Sequence, residues 1–322
     1  MSKDSGYIFS FVIPVHNEAA GLADFHKSLL ATITESLKEA YEIIYIDDGS
    51  SDDSAELVSQ WSSGNPVIRL ISLSRNFGKE AAITAGIYQA KGQAIIMLDA
   101  DGQHPIDMIP QFIRRWQNGA KVVVGMRISN QNEGLVKRYG SKLFYWLLKR
   151  FTGIKLLPGS TDFRLIDRAV QLDFNRMTER NRITRGLIDW LGYERDYINF
   201  KANPRTAGQA GYSFKKLFKL AIDSIISLSI SPLYITAYIG AAILPLSIVL
   251  GLFMLVDKLV GDPAGLHATG SAYLMVLVLF LVGILLVSQA IIGLYLSHIH
   301  TETQNRPLYV IDKSKSVGID EI

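Results

Sequence analysis

Between Ile8 and Arg127 short apolar runs alternate with helical patterns, and each run closes on polar or charged residues. No other feature limits the possible folds as sharply. Strand, helix, strand at this regular spacing specifies a mostly parallel sheet joined by right-handed crossovers. The runs are Ile8–Ile13, Tyr41–Ile46, Val67–Leu73, Ile95–Leu98 and Lys121–Gly125. A helix is predicted from Gly21 to about Ala40, where Leu22, Phe25, Leu29, Ile33 and Leu37 recur at helical spacing. A second follows the cap residues Ser50, Ser51 and Asp52 and runs to about Ser63. A third covers Ala81–Ala90, and a fourth runs from Pro105 to about Asn118. Glu18, Asp47, Asp48, Lys79, Asp99, Asp101 and Arg127 lie at the strand ends. In an open α/β sheet those ends converge on one edge, which is where ligands bind.

The fourth run ends in Asp99-Ala100-Asp101-Gly102-Gln103-His104. Two carboxylates one residue apart in extended chain point to the same side, an arrangement tolerable beside a cation and costly without one. A divalent metal carrying a phosphorylated ligand fits this strand end. The chain has no cysteine, so thiolate metal sites, disulfides and cysteine nucleophiles are excluded and any metal is held by oxygen or imidazole. His104 is read as a hydrogen-bonded turn residue, with ligation of Mn2+ as the alternative. With 33 Lys+Arg against 30 Asp+Glu, the net charge of +3 is too balanced for a nucleic-acid binder. Neither a Gly-x-Gly-x-x-Gly fingerprint nor a Walker sequence occurs, which argues against a nicotinamide cofactor and a P-loop NTPase.

The C-terminal half has a different character. Leu135–Thr152 reads as a helix with Lys and Arg interleaved among Leu, Phe, Tyr and Trp. Phe214–Ile230 sets Phe214, Leu217, Phe218, Ala221, Ile222 and Ile225 on one face and Lys215, Lys216 and Lys219 off it, the pattern of an amphipathic helix on an anionic bilayer. Pro232–Val256 and Ser271–Ser297 are uncharged throughout, and each exceeds the ~20 residues needed to cross a bilayer. Lysines precede the first run, and Arg306, Lys313 and Lys315 follow the second, whereas the intervening loop has only Lys258 as a basic residue. The positive-inside rule then puts both flanks and both termini in the cytoplasm. The N-terminal apolar run is too short for a signal peptide. The expected domains are a catalytic domain over 1–213, an interfacial helix over 214–230, two membrane helices over 231–297 and a cytoplasmic tail over 298–322.

Four segments in order, Pro14-Val-His-Asn-Glu18, Asp47-Asp-Gly-Ser50, Arg75-Asn-Phe-Gly-Lys79 and Asp99-Ala-Asp-Gly-Gln-His-Pro105, carry a resemblance. They resemble a family 2 glycosyltransferase of the Rossmann-like GT-A fold, and within it the polyprenyl-phosphate group that includes dolichol-phosphate mannose synthases and bactoprenol-phosphate glucosyltransferases. The resemblance implies that Pro14, His16, Glu18 and Asp48 line the base and ribose of a sugar nucleotide. It further implies that Lys79 approaches the diphosphate and that Asp99, Ala100 and Asp101 hold nucleotide and metal. Mg2+ or Mn2+ would sit on Asp101 with Gln103. Arg127, Arg138, Ser141, Arg164 and Arg205 would serve the phosphates, with Asp162 as the candidate base. Arg205, Gly208 and Tyr212 fit the family's segment over the donor diphosphate, but Ala210 and Gly211 stand where Ser and Lys are usual.

The activity implied is transfer of one sugar, with inversion, from a nucleoside-diphosphate sugar such as UDP-glucose to a polyprenyl phosphate at a membrane; the glycine-bearing membrane runs suit packing between copies in a homo-oligomer. A processive polysaccharide synthase and a non-catalytic sugar-nucleotide-binding membrane protein are the competing classes. The synthase signature Gln-x-x-Arg-Trp is only approximated by Gln111-Phe-Ile-Arg114-Arg115-Trp116, one residue out of step and too close after Asp101.

Overall fold

The structure is a computed structural model, which describes residues 6–128, 159–180, 182–201, 249, 256, 260 and 270–319. The amphipathic helix and the first uncharged run read from the sequence lie outside these residues, apart from the isolated position 249 and the end residue Val256. So does the helix expected over Leu135–Thr152.

In chain order the first unit comprises β1 (Phe9–Val15), α1 (Ala19–Ser36), β2 (Tyr41–Asp47), α2 (Ser54–Gly64), β3 (Ile68–Ser72), α3 (Lys79–Gln89) and β4 (Ala94–Met97). A short 3-10 turn leads into α4 (Ile109–Gln117), followed by β5 (Val122–Arg127), β6 (Ser160–Asp167), α5 (Arg168–Asn175), α6 (Thr184–Trp190) and β7 (Arg195–Phe200). The seven strands form one sheet in the order β3-β2-β1-β4-β6-β5-β7. β1–β2, β2–β3, β1–β4 and β5–β7 pair in parallel, as the alternation predicts. β6 is the exception, antiparallel to both β4 and β5. This is a mixed, Rossmann-like α/β sheet, and the crevice between β1 and β4 is its topological switch point.

Both faces are covered because successive strand side chains alternate. Phe9, Phe11, Ile13, Ala94, Ile96 and Leu98 pack with α1, α2 and α4 through Leu22, Phe25, Leu29, Ile33, Val58 and Phe112. Val12, Ile44, Ile46, Ile95 and Met97 pack with α3, α5 and α6 through Ala82, Ile83, Val170, Phe174 and Leu187. Each large apolar side chain buried this way contributes about 1.5–3 kcal/mol. α3 lies especially close to the sheet: a Cβ on Gly86 would come within 2.3 Å of Val12 Cγ1 and 2.6 Å of Ile46 Cδ1.

Most of the expected C-terminal tail is part of this unit, which takes it from Arg306 rather than from 298. Arg306–Ile322 clusters with it, while Ser213–Asn305 belongs to a second unit. Leu70 bridges Val317 and Leu73 bridges Ile311, both antiparallel, so the tail covers the open edge of β3. Beneath it, fully buried Glu42 pairs with Arg69 at 2.7 Å and accepts from Ser10 Oγ and Lys91 N, each at 2.6 Å. Arg69 Nε also donates to the Gly318 carbonyl at 2.9 Å, locking the tail to the ion pair.

In the second unit, α7 is helical over 34 residues, Gly270–Thr303, and contains the second uncharged run. Among the described residues no helix is long and apolar enough to cross a membrane. Several side chains of α7 fall outside that set, so the apolar length of this run is a property of the sequence alone.

Arg69→Ala leaves Glu42 charged and unpaired in the core. The expected cost is about 3–5 kcal/mol, read as a lower urea midpoint in the full-length protein. An unchanged midpoint would overturn the structural role given to this pair.

Candidate functional site

Three loops at the strand ends are sewn into one floor. After β1, Asn17 takes a left-handed backbone conformation (φ 56°), and its Oδ1 accepts from Ser51 N at 2.8 Å. Ser50 Oγ accepts from Asn17 N at 3.1 Å, Ser54 Oγ accepts from Glu18 N at 3.0 Å, and Asp52 accepts from Ala19 N at 3.0 Å. After β2, buried Asp48 accepts from Phe77 N at 2.7 Å and Gly78 N at 2.9 Å. Burial raises the Asp48 pKa, and those two N–H groups and His16 offset part of the rise. Gly49 is indispensable to this stitching: at φ 67°, a Cβ there would lie 2.5 Å from the Arg75 carbonyl carbon. His16 Nε2 sits 2.9 Å from Asn76 Nδ2. Pro14, His16, Glu18 and Asp48 thus share the edge beside the switch point. Glu18 occupies the cap position of α1 and makes no side-chain capping bond.

The carboxylates meet on the other side of that crevice. β6 pairs with β4 so that Met97 faces Arg164. Continuing that register two residues past Met97 sets Asp99 opposite Asp162. Lys79, from the first turn of α3, fills the gap with its Nζ 2.6 Å from Asp99 and 2.8 Å from Asp162. Burial pulls the Lys79 pKa down, but the two carboxylates overcome it and the net shift is upward. For Asp162 burial acts upward, and Lys79, assisted by Arg185 and Arg164, brings the carboxyl down to about 2. The sequence reading aimed Lys79 at a diphosphate; in the structure two carboxylates hold it.

Ala100 is buried, and Asp101 Oδ1 accepts from Gln103 N at 3.0 Å, folding the segment into a tight turn. His104 is the hydrogen-bonded turn residue expected: its Nδ1 accepts from Asp99 N at 3.1 Å, and its ring stacks on Phe163. Among the described residues no group of three His, Asp or Glu forms a ready metal cage. Asp101 and Gln103 nevertheless offer the hard oxygen donors that Mg2+ or Mn2+ uses when substrate phosphates supply the remaining ligands.

Arg127 ends β5 exposed, its N–H bonded to the Gly159 carbonyl at 2.8 Å. Arg164 requires a correction. Only 1% of it is exposed, its Nη1 pairs with Asp189 at 3.0 Å, and it also donates to the Thr161 carbonyl and Ser160 Oγ. With its guanidinium so engaged it braces β6 against α6 and is not carried forward as an acceptor-phosphate ligand. Arg138, Ser141 and Arg205 lie outside the described residues. The sequence reading placed nothing in the site from residues 168–200, although Glu80, which follows Lys79, reaches Thr184 N there at 2.8 Å. The adjacency of Glu80 to Lys79 was the only sequence sign of that link.

Comparison with known proteins follows the same lines. The family described as glycosyl transferase family 2 matches residues 10–172. A glycosyltransferase of Synechocystis sp. described as uncharacterised is 39% identical over 302 residues, 94% of each chain. A prophage-derived bactoprenol glucosyl transferase of Shigella flexneri is 35% identical over 306 residues, 95% of this chain and 97% of that one. A solved glucosyl-3-phosphoglycerate synthase from Mycobacterium tuberculosis, in complex with Mn2+, UDP-glucose and phosphoglyceric acid, covers 70% of this chain and 79% of its own at 18% identity and a TM-score of 0.47, too remote to carry weight.

Asp48→Ala strands two backbone N–H groups beside α3. A loss of about 1–3 kcal/mol is expected in ligand-free denaturant unfolding, and about half that for Asp48→Asn, whose amide oxygen still accepts. A wild-type midpoint in both variants would show that the loop is held by other means.

Proposed function

Because the chain belongs to glycosyl transferase family 2, we propose that it transfers one sugar from a nucleoside-diphosphate sugar, UDP-glucose or a close relative, to a polyprenyl phosphate at the cytoplasmic face of a membrane. One observation carries this reading. The family match stops at residue 172, yet the Shigella flexneri bactoprenol glucosyl transferase matches over 306 residues. Similarity therefore extends into the C-terminal half, where the two uncharged runs lie. Connectivity supports a membrane hairpin: the chain leaves the catalytic unit after Tyr212 and rejoins it at Arg306. Any segment between those points that crosses a bilayer crosses it an even number of times.

The chemistry follows from the acceptor. A phosphate monoester has a second pKa near ~6 and is largely dianionic at neutral pH. Its oxygen attacks the anomeric carbon as the nucleoside diphosphate leaves from the opposite face with the bonding electron pair, so the anomeric configuration inverts. The attacking oxygen bears no proton, and no strong base is required. Asp162, held near 2 by Lys79, suits an electrostatic role better than proton abstraction. The protein's work is to bring two anionic substrates together and orient them. Pro14, His16 and Glu18 are candidates to line base and ribose, with Asp48 holding the loop beside them through Phe77 and Gly78, and Arg127 and Arg205 are candidates for phosphate contacts. Asp101 and Gln103 fit Mg2+ or Mn2+, which when bound would screen the charge of the departing diphosphate.

The test is a transfer assay with full-length protein in detergent, undecaprenyl phosphate, Mg2+ or Mn2+ and a panel of radiolabelled UDP- and GDP-sugars. Label is expected to enter the organic phase with one donor, and to fall at least about 100-fold with chelator and in Asp101→Ala. Label in a water-soluble or insoluble polymer would mark a processive synthase instead. Nucleotide binding without turnover would leave a binding protein.

A further inference from the structure

α6 begins against the carboxylate cluster. Thr184 N donates to Glu80 Oε2, and Glu80 directly follows the lysine that holds Asp99 and Asp162. From the other side Arg164, two residues along β6 from Asp162, donates to the Arg185 carbonyl at 3.4 Å. The backbone of Thr184 and Arg185 is therefore fixed from both α3 and β6.

Their side chains are another matter. Among the described residues only two buried side-chain polar atoms lack a hydrogen-bond partner, Thr184 Oγ1 and Arg185 Nε. They are neighbours in sequence, and Thr184 is 3% exposed. No hydrogen bond or ion pair of the Arg185 guanidinium occurs among the described residues. Its charge is nonetheless felt by Asp162 and Glu80, whose carboxyls it draws downward. Both carboxylates already have donors, Lys79 on Asp162 and the Thr184 N–H on Glu80. A hydroxyl and a guanidinium N–H on consecutive residues, both desolvated, lack a hydrogen-bond partner, and buried donors rarely stay unpaired. Guanidinium is the group best matched to phosphate oxygens.

We infer that Arg185, with the Thr184 hydroxyl, binds a substrate phosphate oxygen beside Asp162. The inference rests on the proposed transfer reaction, in which both substrates carry phosphate: the donor as a diphosphate and the lipid acceptor as a monoester. Arg185 thereby becomes a phosphate-binding residue in a stretch where the sequence reading saw none.

The experiment measures the binding of two probes to full-length protein in detergent: UDP with Mg2+, and undecaprenyl phosphate. Wild type is compared with Arg185→Gln, Arg185→Lys and Thr184→Val, with melting temperatures recorded alongside. One Kd is expected to rise about tenfold or more in Arg185→Gln, and less in Arg185→Lys and Thr184→Val. A rise for UDP assigns the site to the donor diphosphate; a rise for undecaprenyl phosphate assigns it to the acceptor. Folded variants with both constants within twofold of wild type would overturn the inference and leave Arg185 as a structural counter-charge. Should Arg185→Gln not fold, Arg185→Lys, which keeps the charge but loses the planar fork, decides by the same comparison. Wild type that binds neither probe would refute the transfer reading itself, and the phosphate site with it.

Discussion

One ammonium group holds the catalytic edge together. Asp99 follows β4 and Asp162 lies near the start of β6, and the antiparallel register sets them face to face. Two carboxylates at that separation repel each other unless a cation lies between them. Lys79 supplies it from the first turn of α3, and Glu80 beside it reaches α6. A single dipeptide thus joins two strands and two helices on the face where the switch-point crevice opens. The reversed direction of β6 follows the same logic. Were β6 parallel to its neighbours, its N-terminal residues would lie at the opposite edge and Asp162 could not reach the site.

The five-strand alternation was legible because each apolar run stops at polar residues, and β1 to β5 lie where that pattern places them. β6 was not legible as a strand. Its sequence Ser-Thr-Asp-Phe-Arg-Leu-Ile-Asp has a charged residue in the middle, and what makes Arg164 tolerable there is Asp189, 25 positions later and on another element. A local pattern cannot show such a partner, so the arginine read as a phosphate ligand is instead a buried brace. Asp48 shows a related limit. Its place in Asp-Asp-Gly-Ser marks it as an edge residue, but only the fold reveals that its two oxygens are bonded to Phe77 and Gly78. Lys79 was legible as a site residue, though not in its role of holding Asp99 to Asp162.

Rigidity is distributed unevenly around the crevice. On the β1–β2 side, Asn17, Ser50, Ser51, Asp52 and Asp48 tie three loops through backbone N–H groups, which gives a preformed surface with little freedom to lose on binding. On the other side, Thr184 and Arg185 are tied through their backbones, while Thr184 Oγ1 and Arg185 Nε are buried without a hydrogen-bond partner.

The covered edge of β3 bears on how the protein is made. Arg69 belongs to the third strand, yet it donates to a carbonyl 249 positions further along, in the last few residues of the chain. During synthesis the sheet forms with that edge open and Arg69 short of one acceptor. It is completed only after every residue between Tyr212 and Arg306 has left the ribosome. Synthesis of the intervening segment therefore precedes the closing of the sheet, and a chain stalled or cut before the tail presents an unpaired strand to its neighbours. The first unit reaches its final form only once the whole of the second has been made.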